Sequence, residues 1–286
     1  VREDRVKPAP FAYERARSLD HTIELIAGAE DARLLAGGQS LIATLNMRLS
    51  RPQLIVDINR VPGLDSISLS NGQIEIGALV RHAQAERSTE IAAHAPLIAK
   101  ALPFIGHPAI RNRGTIGGSI AFGDPAAELP ACFAALDGEA IIAGPSGTRV
   151  VKADAFYKGL FESALTPRDV LTAIRIPVAT SETRTAFAEL ARRHGDYAMV
   201  GLAASARAAG KALSNVRLVF FGVGTMPVRA RTAEAALAAG DIDAAAKAVA
   251  ADLDPSDDVQ ASSAVKRQLA GVLVQRVARQ LMGEEA

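Results

Sequence analysis

Two glycine pairs mark the places where the main chain itself could do chemistry. In the stretch Arg113 to Ala131, RGTIGGSIAFGDPAAELPA, Gly114 precedes the β-favouring pair Thr115 and Ile116, and Gly117 and Gly118 then remove side chains at successive positions before Ser119. A glycine pair permits φ > 0 and lets a ligand approach the backbone, so consecutive N–H groups can converge on one oxyanion. Leu34 to Leu41, LLAGGQSL, has the same grammar: an apolar strand, Gly37 and Gly38, then Gln39 and Ser40. Two such loops, each ending in a hydroxyl, suit a diphosphate. Downstream, Asp124 and Glu128 are poor neighbours for phosphate but good acceptors for ribose, ribityl or amine hydrogens. One glycine pair is most often only a turn. Two pairs, each after a strand-like segment and one trailed by two carboxylates, tip the balance toward ligand binding. Asp124 and Glu128 could also serve as acid and base, but with no nucleophile or metal site around them binding is the more economical reading.

Other candidates weigh less. Phe221 to Pro227, FGVGTMP, contains Gly-x-Gly after a strand, but it lacks the third glycine, and Met226-Pro227 stands where a helix should begin, so it reads as a turn. His107 has no second histidine at ligand spacing and reads as a loop histidine. Arg111 and Arg113 flank the second glycine pair and fit phosphate contact and solvation equally well. Cys132, the only cysteine, reads as a buried structural thiol. Tyr197 follows Gly195 and Asp196 at the start of an apolar strand; its ring could cover a flat ligand, yet spacing alone favours an ordinary strand tyrosine.

The elements that must position these residues follow from periodicity. Val1 to Pro10 is polar with two prolines and is expected to trail before Phe11 and Tyr13 dock. Ser18 should cap a helix facing inward through Leu19, Ile23 and Ile26 and ending at Gly28; Arg33 to Ala36 should be a strand, Ser40 the cap of a helix over Leu41 to Leu49, and Leu54 to Ile58 another strand. A meander follows, Ile67 to Leu69 and Gln73 to Ala78 about an Asn71-Gly72 turn. Pro96 should open a helix that ends at Gly106, and strands are expected at Glu139 to Ala143, Arg149 to Val151 and Val170 to Ile176. After a linker from Ala179 to Arg184, strands near 185–191, 199–206 and 216–222 precede helices near 232–239, 244–251 and 264–282. In the last, Val265, Leu269, Leu273, Val277 and Leu281 predict the buried stripe, with Lys266, Arg267, Arg276 and Arg279 facing elsewhere. The fold class is α+β: residues 1–178 in two parts (1–58 and 59–178), then a smaller α+β domain over 179–286 with a three-stranded antiparallel sheet and helices.

Composition narrows the function. The 286 residues carry 32 Lys and Arg against 31 Asp and Glu, with no basic block, which argues against nucleic acid and anionic membranes. One cysteine cannot by itself supply a four-thiolate iron–sulfur cluster, so any such cluster belongs to a partner. No apolar run reaches membrane-spanning length and no charged segment followed by an apolar one opens the chain, so the expected location is the cytoplasm.

The chain resembles the FAD-binding medium subunits of molybdenum hydroxylases, of the carbon monoxide dehydrogenase, quinoline oxidoreductase and xanthine dehydrogenase type. The resemblance runs nearly full length through AGGQSL at Ala36 to Leu41, VDI at Val56 to Ile58, HPAIRNRGTIGGSIA at His107 to Ala121, DPAAELPA at Asp124 to Ala131, LTAIRIP at Leu171 to Pro177 and RRHGDYA at Arg192 to Ala198. It implies that FAD pyrophosphate lies against Ala36, Gly37, Gly38, Gln39, Ser40 and Leu41 and against Thr115, Ile116, Gly117, Gly118 and Ser119. It further implies that Asp124 and Glu128 hold the sugar part or ring edge, that Leu171 packs on the cofactor, and that Tyr197 sits beside the isoalloxazine, reversing the reading from spacing. Ala188 stands where xanthine dehydrogenase has a lysine near the flavin, which weighs against NAD as acceptor. The implied partners are a large molybdopterin subunit and a small subunit with two [2Fe-2S] clusters, in a dimer of heterotrimers. The implied role is electron transfer through FAD to an external acceptor. The alternatives are a stand-alone flavin reductase or oxidase and a non-enzymatic nucleotide-binding module.

Overall fold

The computed structural model describes residues 7–210 and 212–284; the trailing segment expected from Val1 lies outside the described residues as far as Val6. The first part is a small layer of parallel strands. Strand β1 (Ala12–Arg15), helix α1 (Leu19–Ala27), β2 (Ala32–Leu35), α2 (Leu41–Asn46) and β3 (Leu54–Asp57) form a sheet in the order β1-β3-β2. The Ser18 hydroxyl accepts the amide of His21 and starts α1, and Gly28 ends it, as the spacing predicts.

A five-stranded sheet follows, in the order β4-β5-β10-β6-β7. Its hairpin β4 (Ile67–Ser70) and β5 (Gln73–Gly77) turns on Asn71 and Gly72, both at positive φ (49° and 73°), the conformation that matches strand twist and selects Asn-Gly. Six helices come between β5 and the next strand: α3 (His82–Glu86), α4 (Thr89–His94), α5 (Pro96–Ala101), α6 (Pro108–Arg111), α7 (Ile116–Phe122) and α8 (Glu128–Ala135). Then β6 (Glu139–Gly144) and β7 (Gly147–Lys152) pair, β8 (Tyr157–Gly159) and β9 (Glu162–Ser163) form a separate ribbon, and β10 (Val170–Pro177) returns between β5 and β6.

The C-terminal sheet is a meander of β11 (Thr183–Leu190), β12 (Val200–Ala209) and β13 (Ala212–Phe221), the three strands expected, with a two-residue β14 (Val228–Arg229) at its edge. Helices α9 (Arg231–Ala238), α10 (Ile242–Asp252) and α11 (Ser263–Leu281) cover one face. The predicted stripe of α11 needs correction. Val265 is exposed, and the buried face runs through Lys266, Ala270, Leu273, Val274, Val277 and Leu281. A four-residue repeat drifts about 40° per step on a helix of 3.6 residues per turn, so it cannot stay on one side over four steps. Lys266 tolerates burial because its ammonium donates to Asp258 (2.7 Å) and to the Gly222 carbonyl (3.3 Å).

The other face of this sheet meets the first part of the chain. Phe187, Ala203, Val219 and Phe221 belong to the same buried cluster as Leu129, Cys132 and Phe133 of α8. Ser205 donates to the Ala135 carbonyl (2.6 Å), and Arg217 to the Ala134 carbonyl (3.2 Å) while pairing with Asp137 and Asp154. One core therefore spans both parts of the chain.

Candidate cofactor-binding site

The two glycine pairs come together. A Cβ at Gly37 would stand 2.4 Å from the Arg113 carbonyl oxygen and 2.8 Å from the Gly114 Cα, so backbone meets backbone where the first loop touches the entry to the second. Gly38 follows in the left-handed region at φ 73°. Among the described residues the amides of Gly37, Gly38, Gln39 and Ser40 donate to no protein acceptor. A run of unpaired N–H groups in a partly buried loop is a donor set that an anionic ligand completes. The Ser40 hydroxyl does not cap α2, contrary to the expectation, because its backbone is already helical (φ −102°, ψ −49°) and holds the side chain away from the first-turn amides. That hydroxyl remains available to a ligand.

The second pair is built differently from its expected form. Gly117 and Gly118 lie in the first turn of α7, and Thr115 is its N-cap, with its hydroxyl accepting the Gly118 amide at 3.1 Å. The amides of Ile116 and Gly117 donate to the Val80 and Ala78 carbonyls and that of Ser119 to the Thr115 carbonyl, so this turn offers the hydroxyls of Thr115 and Ser119 in place of free N–H groups. Its glycines serve packing: a Cβ at Gly117 would lie 2.4 Å from that of Ala78. Thr115→Ala should cost about 1 kcal/mol of stability through loss of the cap, visible as a lowered thermal midpoint.

A polar strut that no motif announces fixes the loops. The Asn59 amide group donates to the carbonyls of Leu35 (3.2 Å) and Ala36 (2.8 Å) and to Asp57 (2.7 Å). Arg81 donates to the Asn59 side-chain oxygen (2.5 Å) and to the Arg113 carbonyl, linking both loops. Burial raises the Asp57 carboxyl, but hydrogen bonds from Tyr13 and Asn59 and the Arg15 charge outweigh it and hold the group below the usual range. Burial pushes His82, whose ring lies beneath Gly114, down to about 4, so it is neutral. Arg111 pairs with Glu86 (2.9 Å) and binds the carbonyls of Ile105 and Gly106, a structural role.

Helix α7 separates this region from the acidic one by about 10 Å, seven residues at 1.5 Å each. At its far end Asp124 accepts the Ala126 amide (2.9 Å), and burial raises its carboxyl. Glu128 opens α8 with 8% of its surface exposed, and burial, together with the Asp124 charge, pushes it up to about 7. Tyr197 lies between strands, not in one, with its hydroxyl toward Asp124 and its ring largely exposed. It lines a cavity of about 370 Å³ with Arg192, Gly195, Asp196 and Gln260. Leu171 is 5% exposed in β10, at the bulge before Ala173. Cys132 is buried, and burial raises its thiol, so it is inert. The Phe221 to Pro227 segment is a turn, with Gly222 at φ 77°.

Residues 9–179 match the family described as FAD binding domain in molybdopterin dehydrogenase, and residues 185–281 the CO dehydrogenase flavoprotein C-terminal domain. The chain belongs to the FAD-binding subunits of the molybdenum hydroxylase family. Among its relatives, the 6-hydroxypseudooxynicotine dehydrogenase complex subunit alpha of Paenarthrobacter nicotinovorans is 40% identical over 95% of this chain and 94% of its own length. The carbon monoxide dehydrogenase medium chain of Hydrogenophaga pseudoflava is 34% identical over 94% and 96%. The solved carbon monoxide dehydrogenase from that organism superposes with a TM-score of 0.94, covering 98% of this chain and 99% of the other at 34% identity. Quinoline 2-oxidoreductase from Pseudomonas putida 86 gives 0.92, covering 97% and 99% at 34%. Family membership makes FAD the cofactor of the first domain and the chain a component of an oxidoreductase. The donor set fits that group: unpaired amides at one end for a diphosphate, and acceptors about one helix length away for hydroxyl or N–H groups. Among the described residues no helix is long and apolar enough to cross a membrane.

Proposed function

We propose that the chain is the FAD-carrying medium subunit of a cytoplasmic molybdenum hydroxylase. It would work beside a large molybdopterin subunit and a small subunit with two [2Fe-2S] clusters, in a dimer of heterotrimers. The observation that carries the reading is the row of four unpaired amides at Gly37 to Ser40, pressed against the Arg113–Gly114 backbone. In this reading Ala36 to Leu41 and the hydroxyls of Thr115 and Ser119 hold the pyrophosphate, with Ile116, Gly117 and Gly118 forming the wall of packed turn behind it. Asp124 and Glu128 accept hydrogen bonds from the sugar part or ring edge, Leu171 gives an apolar contact, and Tyr197 stands beside the ring. Bound FAD would supply the two-electron chemistry that links the iron–sulfur partner to an external acceptor. The residues of this chain orient the cofactor and set its surroundings; the choice of hydroxylated substrate belongs to the large subunit.

The test is direct. The purified chain should be yellow, and acid precipitation should release its flavin to the supernatant, the outcome expected of a cofactor held by hydrogen bonds and packing alone. The chain alone should turn over no heteroaromatic substrate, and activity should appear on adding the molybdenum and iron–sulfur subunits. Turnover by the isolated chain would instead favour a self-contained flavoenzyme.

A further inference from the structure

The face of the C-terminal sheet that meets α8 is made by alternate residues. Phe187 and Glu189 of β11, Gly201, Ala203 and Ser205 of β12, and Arg217, Val219 and Phe221 of β13 share it, since Phe187, Ala203, Val219 and Phe221 lie in the common core and Ser205 and Arg217 bind the end of α8. Helix α8 lies along this face with a fixed polarity. Its last residues, Ala134 and Ala135, are held at Arg217 and Ser205, while just before its first residue the Pro125 carbonyl accepts the Gly222 amide (2.8 Å). Its length, about 12 Å for eight residues, matches the rise of about 13 Å from Ser205 back to Gly201. Glu128 is therefore delivered to the row Glu189, Gly201, Phe221, where Gly201 has no side chain to intervene.

Neither carboxylate has a counter-ion there. No salt bridge among the described residues includes Glu128 or Glu189, and Glu189 Oε2 is enclosed without a hydrogen-bond partner. The groups around them are Asp124 before α8, Cys132 within it, and Tyr197 after β11. Lys100 of α5 holds the Thr185 carbonyl, about 13 Å back along β11, and Arg192 and Gln260 stand at the cavity beside Tyr197. Two carboxylates brought to one end of α8, Glu128 buried and Glu189 with one oxygen enclosed, cannot both ionise freely near neutral pH when no cation stands beside either. Burial and the Glu128 charge push Glu189 up to about 8, and burial pushes Glu128 up to about 7. Such titrations belong to the pair.

We propose that Glu128 and Glu189 share one proton across the domain junction, and that the pair takes up a further proton from solvent when the neighbouring flavin is reduced. This rests on the reading of Asp124, Glu128 and Tyr197 as flavin-facing. The balance is simple. Two electrons delivered by the iron–sulfur partner, with the proton of ordinary flavin reduction, would add negative charge beside the pair, and one proton from water would convert the singly charged pair, which already holds one proton, to the neutral one. No bond in the chain is otherwise made or broken.

Two measurements on the complete flavin-loaded complex test it. In infrared spectra the buried carboxylic acid signal should persist at neutral pH and disappear on alkaline titration, and in E189Q the remaining Glu128 signal should vanish at a proton concentration at least tenfold higher. A Glu128 titration unmoved by E189Q would overturn the pairing. Above about pH 7 the flavin midpoint of the wild type should fall more steeply with pH than that of E189Q, by about 30 mV per pH unit, the tenfold equivalent for one proton per two electrons. Equal slopes would overturn the link to reduction. Should E189Q fail to fold, E128Q reports the same coupling through Glu189. A complex that binds no flavin would refute the proposed cofactor role, while the infrared titration would still decide the pair.

Discussion

Replacing Gly37 with alanine is expected to strip the protein of its flavin while leaving its fold intact. The new methyl group would stand 2.4 Å from the Arg113 carbonyl oxygen and 2.8 Å from the Gly114 Cα, both backbone atoms that no rotamer change can withdraw. The two loops must therefore separate by about 1 Å to reach ordinary contact distance. The amides of Gly37 to Ser40 are carried with the first loop, and each charge-assisted hydrogen bond lost to a phosphate costs roughly 1.5–3 kcal/mol, about ten- to a hundredfold in affinity. The fold survives because the strain falls on a loop whose other anchor, Asn59, binds the carbonyls of Leu35 and Ala36 and can move with it. Gly28→Ala is the control: its Cβ meets only ordinary contacts, at 3.4 Å and beyond. Flavin absorbance per protein at 450 nm reads the difference. Full colour in Gly37→Ala would show that the junction of the two loops does not hold the cofactor.

A larger loss of stability is expected from Gly201→Ala, at a position with no ligand role. The added Cβ would fall 1.9 Å from the Phe221 ring, which is fully buried and stacks on Phe187 with centroids 5.7 Å apart. That ring fills the space above Gly201, so alanine must expel it or push the strands apart. The penalty should resemble loss of a buried phenylalanine, about 3–5 kcal/mol, or a fall in thermal midpoint on the order of 10 °C. Phe221→Leu in the same chain should recover part of the loss, because the shorter side chain vacates the clash; the two changes will not add. A double variant no more stable than Gly201→Ala would contradict this account.

How much of this was legible depends on where the determining contact lies. Helix α1 was readable because Ser18, the apolar spacing and Gly28 are all local, and the hairpin was readable because Asn71 and Gly72 carry their own backbone preference. Helix α7 was not. Each interior glycine disfavours helix by about 1 kcal/mol, so Gly117 and Gly118 read as a loop, whereas the close approach of Ala78 and the Thr115 cap reverse that preference. The first glycine loop was readable as a donor set because nothing downstream uses its amides. Asn59 and Arg81 left no signal, since their importance lies in which carbonyls stand opposite them. Glu189 did leave one: it continues the alternation of Thr185 and Phe187 on a buried face, and a carboxylate in such a series marks a special environment.

The shared core described above bears on how such proteins can be recombined. A chain cut near residue 180 would leave Leu129, Cys132 and Phe133 uncovered on one piece and Phe187, Val219 and Phe221 on the other, with the Arg217 and Arg229 guanidiniums parted from Asp154. Each segment keeps a core of its own but would expose this apolar face to water. A hybrid grafting the C-terminal segment of one relative onto the flavin segment of another would fold only where the α8 face and its sheet had co-adapted, so the two pieces are expected to be inherited as one.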